Sequence, residues 1–299
     1  MVAERASAGP PPAAPRLAVG VIGVGRAGGP LAAALARAGH RVVGVHAVSE
    51  RSRRQVEAFL PGTPLMPAAA VMAAADLVLV TVPDDVLPDL ILGLADTDAV
   101  TPGQFVVHAS GRFGTAVLEP ATRLGALPLA LHPVMTFTGS RTDLDRLAGC
   151  PFGVTAPPVL RPVAEALVVE VGGDPMWVPE EARPLYHAAL ASGANHLVTL
   201  VAQTLDLLGT AGIADPAGMV RPLLMAALDN VLAMGDEALT GPVARGDAGT
   251  VAAHLEALSR AAPEARAGYL AMARLTADRA IAAGRLDPVK AESLLDVLG

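Results

Sequence analysis

From residue 16 to about residue 178 the chain alternates two hydrophobic rhythms. Short unbroken apolar runs rich in Val, Leu and Ala fall at 16–23, 41–48, 76–82, 104–109, 127–132, 151–155 and 174–178. Runs of this length, bounded by Gly, Pro or charged residues, predict strands buried on both faces. Between them, apolar residues recur at helical spacing over about 28–38, 50–59, 67–74, 84–94, 115–124 and 157–170. Strands alternating with helices predict βαβ units, hence an α/β fold with a Rossmann-type doubly wound parallel sheet over residues 16–178. After Pro179 only Leu/Ala-rich helical periodicity remains, broken at Gly212, Pro216, Gly241-Pro242 and Pro263, which predicts an all-α C-terminal domain over 179–299. The opening MVAERASAGPPPAAP holds four prolines and no continuous apolar stretch. It is expected to be a disordered tail over 1–15 rather than a leader.

The first strand runs into Gly23-Val24-Gly25-Arg26-Ala27-Gly28 and then into an Ala-rich helical pattern. A GxGxxG between a strand and a helix is the dinucleotide-binding turn. Its first glycine permits the tight bend, the second lets the backbone approach a pyrophosphate, and the third packs helix on strand. Gly23, Gly25, Arg26, Ala27 and Gly28 are therefore candidate cofactor-binding residues. In NAD-binding units an acid about 20 residues on accepts from the ribose 2′-hydroxyl. Here the second strand, RVVGVHAV, ends without one and meets Ser49-Glu50-Arg51-Ser52-Arg53-Arg54. Ser49, Arg51 and Arg53 suit a 2′-phosphate through charge-assisted hydrogen bonds, so NADP(H) is the expected cofactor. Glu50 could retain some NAD affinity. The plainer alternative is that these arginines solvate the first turn of the next helix.

Composition narrows the partners. With 52% hydrophobic but only 3% aromatic residues over 299 positions, the chain can bury a substantial core made of small aliphatic side chains. A net charge of −7 leaves no overall basic footprint, so neither nucleic acid nor an anionic membrane surface is expected. The apolar segment Leu185–Leu208 is interrupted by His, Asn, Gln and Asp, and no span is expected. The single cysteine, Cys150, excludes an intramolecular disulfide and reads as a core residue. The expectation is a soluble, cytoplasmic protein. No HExxH or clustered His/Asp spacing points to a metal, and no GxSxG points to nucleophilic catalysis.

Together with the glycine turn, the segments TVPDD (81–85), HASG (108–111), LALHPVMTF (129–137), HAALASGANHLVTL (187–200) and, most specifically, LTGPVARGDAGTV (239–251) carry a resemblance over essentially residues 17–299. The chain resembles bacterial proteins that pair a Rossmann-like N-terminal domain with a C-terminal helical domain of unknown function. These are relatives of the 6-phosphogluconate and β-hydroxyacid dehydrogenase superfamily, with pyrroline-5-carboxylate reductase and ketopantoate reductase as distant kin. The resemblance implies hydride transfer. It places Val82, Pro83 and Asp84 beneath the nicotinamide-side ribose, and Ser110 and Gly111 at the nicotinamide edge. Asp84 could instead be an ordinary helix N-cap.

One departure stands out. Superfamily members that oxidise hydroxy acids carry a lysine one helical turn before an asparagine; the asparagine matches Asn195, but Ala191 holds the lysine position and the chain's one lysine is Lys290. The helix offers instead a polar stripe of Ser192, Asn195, His196, Thr199, Gln203 and Asp206 within about a 100° arc. A solvated helix face is the alternative, although such faces usually carry Lys and Glu. His132, ending a strand before Pro133, can donate a proton near neutrality. His108 can too, more weakly placed, and His187 points away from the stripe. The expected enzyme reduces a small C=O or C=N substrate bearing a carboxylate, a 2-oxo acid such as ketopantoate or an imino acid. Its catalytic residues are His132, Ser192, Asn195 and Arg245, the last as carboxylate clamp. The rival is an NADP(H)-binding sensor or scaffold without turnover. The apolar helices of the second half predict a homodimer, with residues 241–247 near the interdomain cleft.

Overall fold

The computed structural model describes residues 16–299, so the tail expected over 1–15 lies outside the described residues. The chain divides into two compact units between Ser192 and Gly193.

The first unit is a sheet with helices on both faces. Its elements in order are β1 (Ala18–Ile22), α1 (Gly28–Arg37), β2 (Arg41–His46), α2 (Glu50–Phe59), α3 (Ala68–Ala73), β3 (Leu77–Val80), α4 (Leu87–Ala95), β4 (Phe105–His108), α5 (Glu119–Thr122), β5 (Leu127–Pro133), α6 (Thr142–Arg146), β6 (Pro151–Thr155), α7 (Arg161–Glu170), β7 (Asp174–Trp177) and α8 (Arg183–Ala191). All seven strands lie in one sheet of order β2-β1-β3-β4-β5-β6-β7. Every neighbouring pair is parallel except β5 with β6, which is antiparallel.

The unbroken apolar runs are explained by burial on both sides. Val19, Val21, Leu77 and Leu79 join one core with α1 and α7, while Ile22, Val78 and Val80 join the other with α3 and α4. Alternate residues thus serve opposite faces, and a strand with two covered faces has no polar positions. Helix α1 stops where Gly39, at φ 100°, takes a conformation that residues with a Cβ avoid. The strand order reverses direction between β1 and β3. That topological switch point is where ligands collect at the carboxyl ends of a doubly wound sheet.

The expected boundary near residue 178 falls before α8, yet α8 clusters with the sheet. The reason is Arg183, which is 1% exposed. Its guanidinium donates to Thr155 Oγ1 at 2.8 Å at the end of β6, to the carbonyls of Gly153 (3.0 Å) and Ala130 (3.1 Å) within β6 and β5, and to that of Ser110 (3.4 Å) just beyond β4.

The second unit is all helical. A π-turn over Ser192–His196 leads into α9 (Leu197–Thr210), followed by α10 (Pro216–Met234), α11 (Gly241–Arg245), α12 (Ala248–Ala261), α13 (Pro263–Ala282) and α14 (Pro288–Leu298). Its core, with Val251, Leu255, Ala277 and Leu294 among its members, belongs to α11–α14 and the short loops between them. Helix α9 buries no residue and α10 only Val220. Within Pro216–Arg245 an 18-residue window reaches a mean hydropathy of 1.3, apolar enough by length and composition to cross a membrane, although Arg221 and Asp229 fall within the stretch.

Candidate functional site

The glycine turn is built as its spacing implied. Gly23, at φ 89°, bends the chain out of β1, and a side chain there would strike Val82 and Thr81. Gly28 packs against Thr81, whose hydroxyl donates to the Gly23 carbonyl. A Cβ on Gly25 would meet nothing within 4 Å, so the backbone there is open to a ligand. Helix α1 begins at Gly28 after Ala27, with no side chain capping its first N–H groups. Gly29 donates to the Gly25 carbonyl and Pro30 has no N–H, so the cradle that fits a pyrophosphate is the backbone of the turn itself, Gly25 to Gly28, at the positive end of a 10-residue helix. Exposed Arg26 borders it, with its Cα and Cγ within 4 Å of a Cβ built on Gly139.

At the end of β2, Ser49 caps α2 by accepting from the Ser52 N–H at 3.0 Å, and the Ser49 and Ser52 hydroxyls pair at 2.6 Å. Arg51 and Arg53 are exposed in the first turn. Two hydroxyls, two guanidiniums and a helix N-terminus fit a 2′-phosphate.

Asp84 lies in the turn after β3 and does not cap α4, whose N-cap is Val86 without any side-chain bond. Val82 packs toward Gly23, and exposed Pro83 accepts from the N–H groups of Val86 and Leu87. After β4, buried Ser110 Oγ accepts from the N–H groups of Arg112 and Phe113 and so shapes the turn that holds Gly111. His108 is fully buried; its Nε2–H donates to the Gly114 carbonyl at 2.7 Å and its Nδ1 accepts from the Ser110 N–H. Burial, first of all, pushes it down to about 4. Both ring nitrogens are committed to the fold, so His108 is a structural residue.

His132 sits differently. Its Nδ1 is 2.8 Å from the Tyr186 hydroxyl, and the ring stands edge-on to His187 at 6.2 Å between centroids. A Cβ built on Gly111 would lie 2.9 Å from His132 Nε2 and 2.8 Å from His187 Cδ2, so both imidazoles face the Gly111 turn. Burial, then Arg183, His187 and His108, push His132 down to about 4. At neutral pH it is an uncharged imidazole, not the imidazolium that proton donation near neutrality assumes.

His187, set aside because it points away from the polar stripe, belongs to this cluster with Tyr186 and Arg183. These three residues fall at i, i+3 and i+4 of one helix, and that spacing was the available signal. A boundary drawn at 178 hid it by assigning the helix to the other domain.

Of the stripe, Ser192 ends the first unit and Asn195 and His196 begin the second, all three exposed and all in the π-turn. The 3.6-residue period behind the stripe does not run through such a turn. Thr199, Gln203 and Asp206 do share a face, lining a groove of about 770 Å³ with Glu264 and the start of α13. Arg245 is exposed at the end of α11, and Asp247 beyond it caps α12 by accepting from the Thr250 N–H at 3.1 Å. Lys290 lies against Gly246 of the same unit.

Two family models match the chain. That of a Rossmann-like domain covers residues 6–133, and that of a domain of unknown function, DUF2520, covers residues 150–276. The chain joins a Rossmann-like domain to a DUF2520 domain. The DUF2520 match begins at β6, inside the sheet, so Arg183 and Tyr186 are DUF2520 residues packed at the Rossmann strand ends. No curated protein sequence matches the chain. Among solved structures, a candidate NADP oxidoreductase from Bacteroides fragilis is 22% identical with a TM-score of 0.71, over 88% of this chain and 98% of that one. An imine reductase from Myxococcus stipitatus in complex with NADP+ is 19% identical with a TM-score of 0.64, over 93% and 99%. The pyrroline carboxylate reductase of Plasmodium falciparum with NADP bound is 10% identical with a TM-score of 0.54, over 89% and 97%. At these identities the likeness is one of fold, and it agrees with the doubly wound sheet followed by helices that the sequence pattern predicts.

Proposed function

We propose that this chain is an NADPH-dependent oxidoreductase that reduces a small C=O or C=N substrate bearing a carboxylate, a 2-oxo acid such as ketopantoate or an imino acid. The observation that carries the reading is the His132–His187–Gly111 cluster at the carboxyl ends of β4 and β5. It lies on the same sheet edge as the anion cradle at β1, three strand spacings or about 14 Å away. The fold it shares with NADP-bound reductases supports a nicotinamide dinucleotide as cofactor.

In this reading Gly23, Gly25, Arg26, Ala27 and Gly28 hold the pyrophosphate, and Ser49, Arg51 and Arg53 the 2′-phosphate. Val82, Pro83, Asp84, Ser110 and Gly111 border the nicotinamide half. Bound NADPH supplies a hydride. His132 holds a proton at Nε2 for the reduced oxygen or nitrogen, and buried Arg183 keeps the strand ends electropositive, which favours an anionic substrate. Ser192, Asn195 and Arg245 stay candidates from the sequence alone, the first two to orient the reacting group and the last to clamp the carboxylate. Ala191 in place of a lysine favours a second reading, cofactor binding without turnover.

The test joins binding to turnover. NADPH should bind more tightly than NADH. Exchanging Arg51 and Arg53 for Ala should weaken NADPH by about 1–3 kcal/mol, the scale of charge-assisted hydrogen bonds, with little change for NADH. NADPH absorbance should then fall with one member of a panel of keto and imino acids. Equal affinities would remove the NADP preference. Tight NADPH binding with no turnover of any panel member would leave the binding-only reading.

A further inference from the structure

The reductase reading uses His132 but leaves a difficulty. A neutral imidazole that gives up its one N–H proton would become an imidazolate. We propose that Tyr186 is the positioning residue that resolves this, donating its hydroxyl hydrogen to His132 Nδ1 so that the ring presents Nε2–H beside Gly111, and replacing the ring's proton as it leaves. The proposal rests on the reductase reading for its substrate, not for its geometry.

The Tyr186 hydroxyl and His132 Nδ1 are 2.8 Å apart, with the rings edge-on at 87°. The opposite nitrogen, Nε2, is the atom nearest the Gly111 turn, together with Cε1, and the lack of a side chain at Gly111 is what admits it. Arg183, His187 and His108 each disfavour a second proton on the ring, and Arg183 steadies a phenolate, against the smaller opposing effect of Cys150. Arg183 and His187 face it from α8 and His108 from β4, and Cys150 faces Tyr186 from the start of β6. Arg183 is the important one. Among the described residues no carboxylate lies within ion-pair distance of it, its donors go to Thr155 and to three backbone carbonyls, and its guanidinium carbon is 5.6 Å from the Tyr186 ring centroid. The carboxylate that acts on it, Glu180, makes no ion pair with it and is taken up by Thr115 and the Ala116 N–H, and a buried cation at that distance opposes an imidazolium and stabilises a transient phenolate. Burial raises the Tyr186 hydroxyl above its ordinary value while Arg183 pulls it down, so at rest it is protonated and able to donate.

The proton balance closes. With a bound nicotinamide dinucleotide supplying the hydride, the carbonyl oxygen or imine nitrogen would gain the electron pair of the broken π bond and would take the proton from His132 Nε2. His132 Nδ1 takes the Tyr186 proton, leaving a neutral ring in the other tautomer and a phenolate beside Arg183. The Nδ1 proton then returns to the phenolate while Nε2 takes up a proton from solvent, so the tyrosine and the Nε2–H ring are both restored at the cost of one solvent proton per turnover.

The decisive measurement is nitrogen NMR of the full chain carrying 15N-histidine, without cofactor or substrate, with the His132 signal assigned from a His132→Asn variant. His132 should be uncharged from pH 7 down to 5.5 and mainly the Nε2–H tautomer. Tyr186→Phe should reduce that preference by about fivefold or more, the worth of one hydrogen bond. In turnover the same variant should lower kcat by roughly tenfold or more and leave KM little changed. An Nδ1–H tautomer in the unaltered protein, or a tautomer ratio indifferent to Tyr186→Phe, overturns the proposal. Should that variant not fold, the chain's second tyrosine allows another route. In a Tyr269→Phe background the ultraviolet titration of Tyr186 should shift when His132 becomes Asn, and an unmoved titration counts against the pair. The NMR result stands whether or not the chain turns over a substrate, so failure of the relay and failure of the reductase reading are told apart.

Discussion

The side chains at the strand ends are held by burial more than by one another's charges, and this makes the fold sensitive to acid. His108 and His132 are both pushed down to about 4 from 6.5, first by desolvation. In the unfolded chain each would take up a proton near 6.5. Between these values the unfolded chain therefore binds more protons than the native one, and stability falls as pH falls. The full loss, reached below pH 4, is up to about 3 kcal/mol per ring, and less than twice that for two rings that share Arg183. Urea unfolding midpoints should fall between pH 7 and 4.5, and the fall should be smaller in His108→Gln whatever that variant's stability at pH 7. An undiminished fall in the variant would locate the acid sensitivity elsewhere. Sequence showed part of this. His132 and His108 were visible as strand-ending histidines, and Cys150 as a buried core residue, 5% exposed. That His108 is spent on a backbone carbonyl, and that Arg183 lies under His132, depends on contacts 6 to 73 residues apart. No local pattern encodes the longer of these.

Elements were more legible than their junctions. Buried parallel strands must be continuous apolar runs, so the inner strands could be located, with ends differing by a residue or two, whereas β7, expected to be covered on both faces, is a mostly exposed edge strand. The small helix α6 was missed because the segment TDLDR has no apolar stripe; the Asp143 carboxylate instead organises it, accepting from the N–H groups of Thr138 and Gly139. The junction of α8 and α9 was misjudged because a π-turn resets the helical period. The β1–α1 turn offers the sharpest test at this scale, since its glycines serve different ends. At Gly25 nothing lies within 4 Å of an added Cβ and the backbone is not left-handed, so Gly25→Val should leave the fold intact. The isopropyl group would then stand where a pyrophosphate needs bare backbone, and dinucleotide binding should be lost. At Gly28 an added Cβ would run into Thr81 and the Gly23 carbonyl, so Gly28→Ala should lower the melting temperature itself. Calorimetry and NADPH titration of the two variants check this. Normal binding by Gly25→Val would mean that the phosphate is held elsewhere.

For the molecule as a whole, the second unit carries more apolar surface than its own core uses. Helices α11–α14 close around a core of their own, while α9 and α10 together bury one residue. Leu223 and Leu232 are 69% and 78% exposed, with Val198, Met219 and Met225 all more than half exposed. Leu197, Leu200, Leu224 and Leu228 line an apolar groove of about 1150 Å³ between the two helices. An apolar groove of this kind is a surface awaiting a partner, and α10 is apolar enough by composition for that partner to be a lipid bilayer. Arg221 and Asp229 decide between the occupants. They interrupt α10 at positions that a helix in hydrocarbon would hold only at a cost of about 2.5–3.5 kcal/mol each, whereas a protein partner can offer a carboxylate to Arg221, which lines the groove, and leave Asp229 at its polar rim. A second copy of the chain is therefore the proposed partner, with α9 and α10 of each protomer covering the other's groove over the roughly 800 Å² per side that a stable pair requires. Light scattering at micromolar concentration should give a particle of twice 30.2 kDa, near 60 kDa. Met225→Asp with Leu228→Asp should return it to monomer size with the helical circular dichroism retained, because both side chains line the groove and neither is buried within the chain. A 30 kDa particle at all concentrations removes the dimer, and flotation of the unaltered protein with phospholipid vesicles would assign the face to a membrane instead.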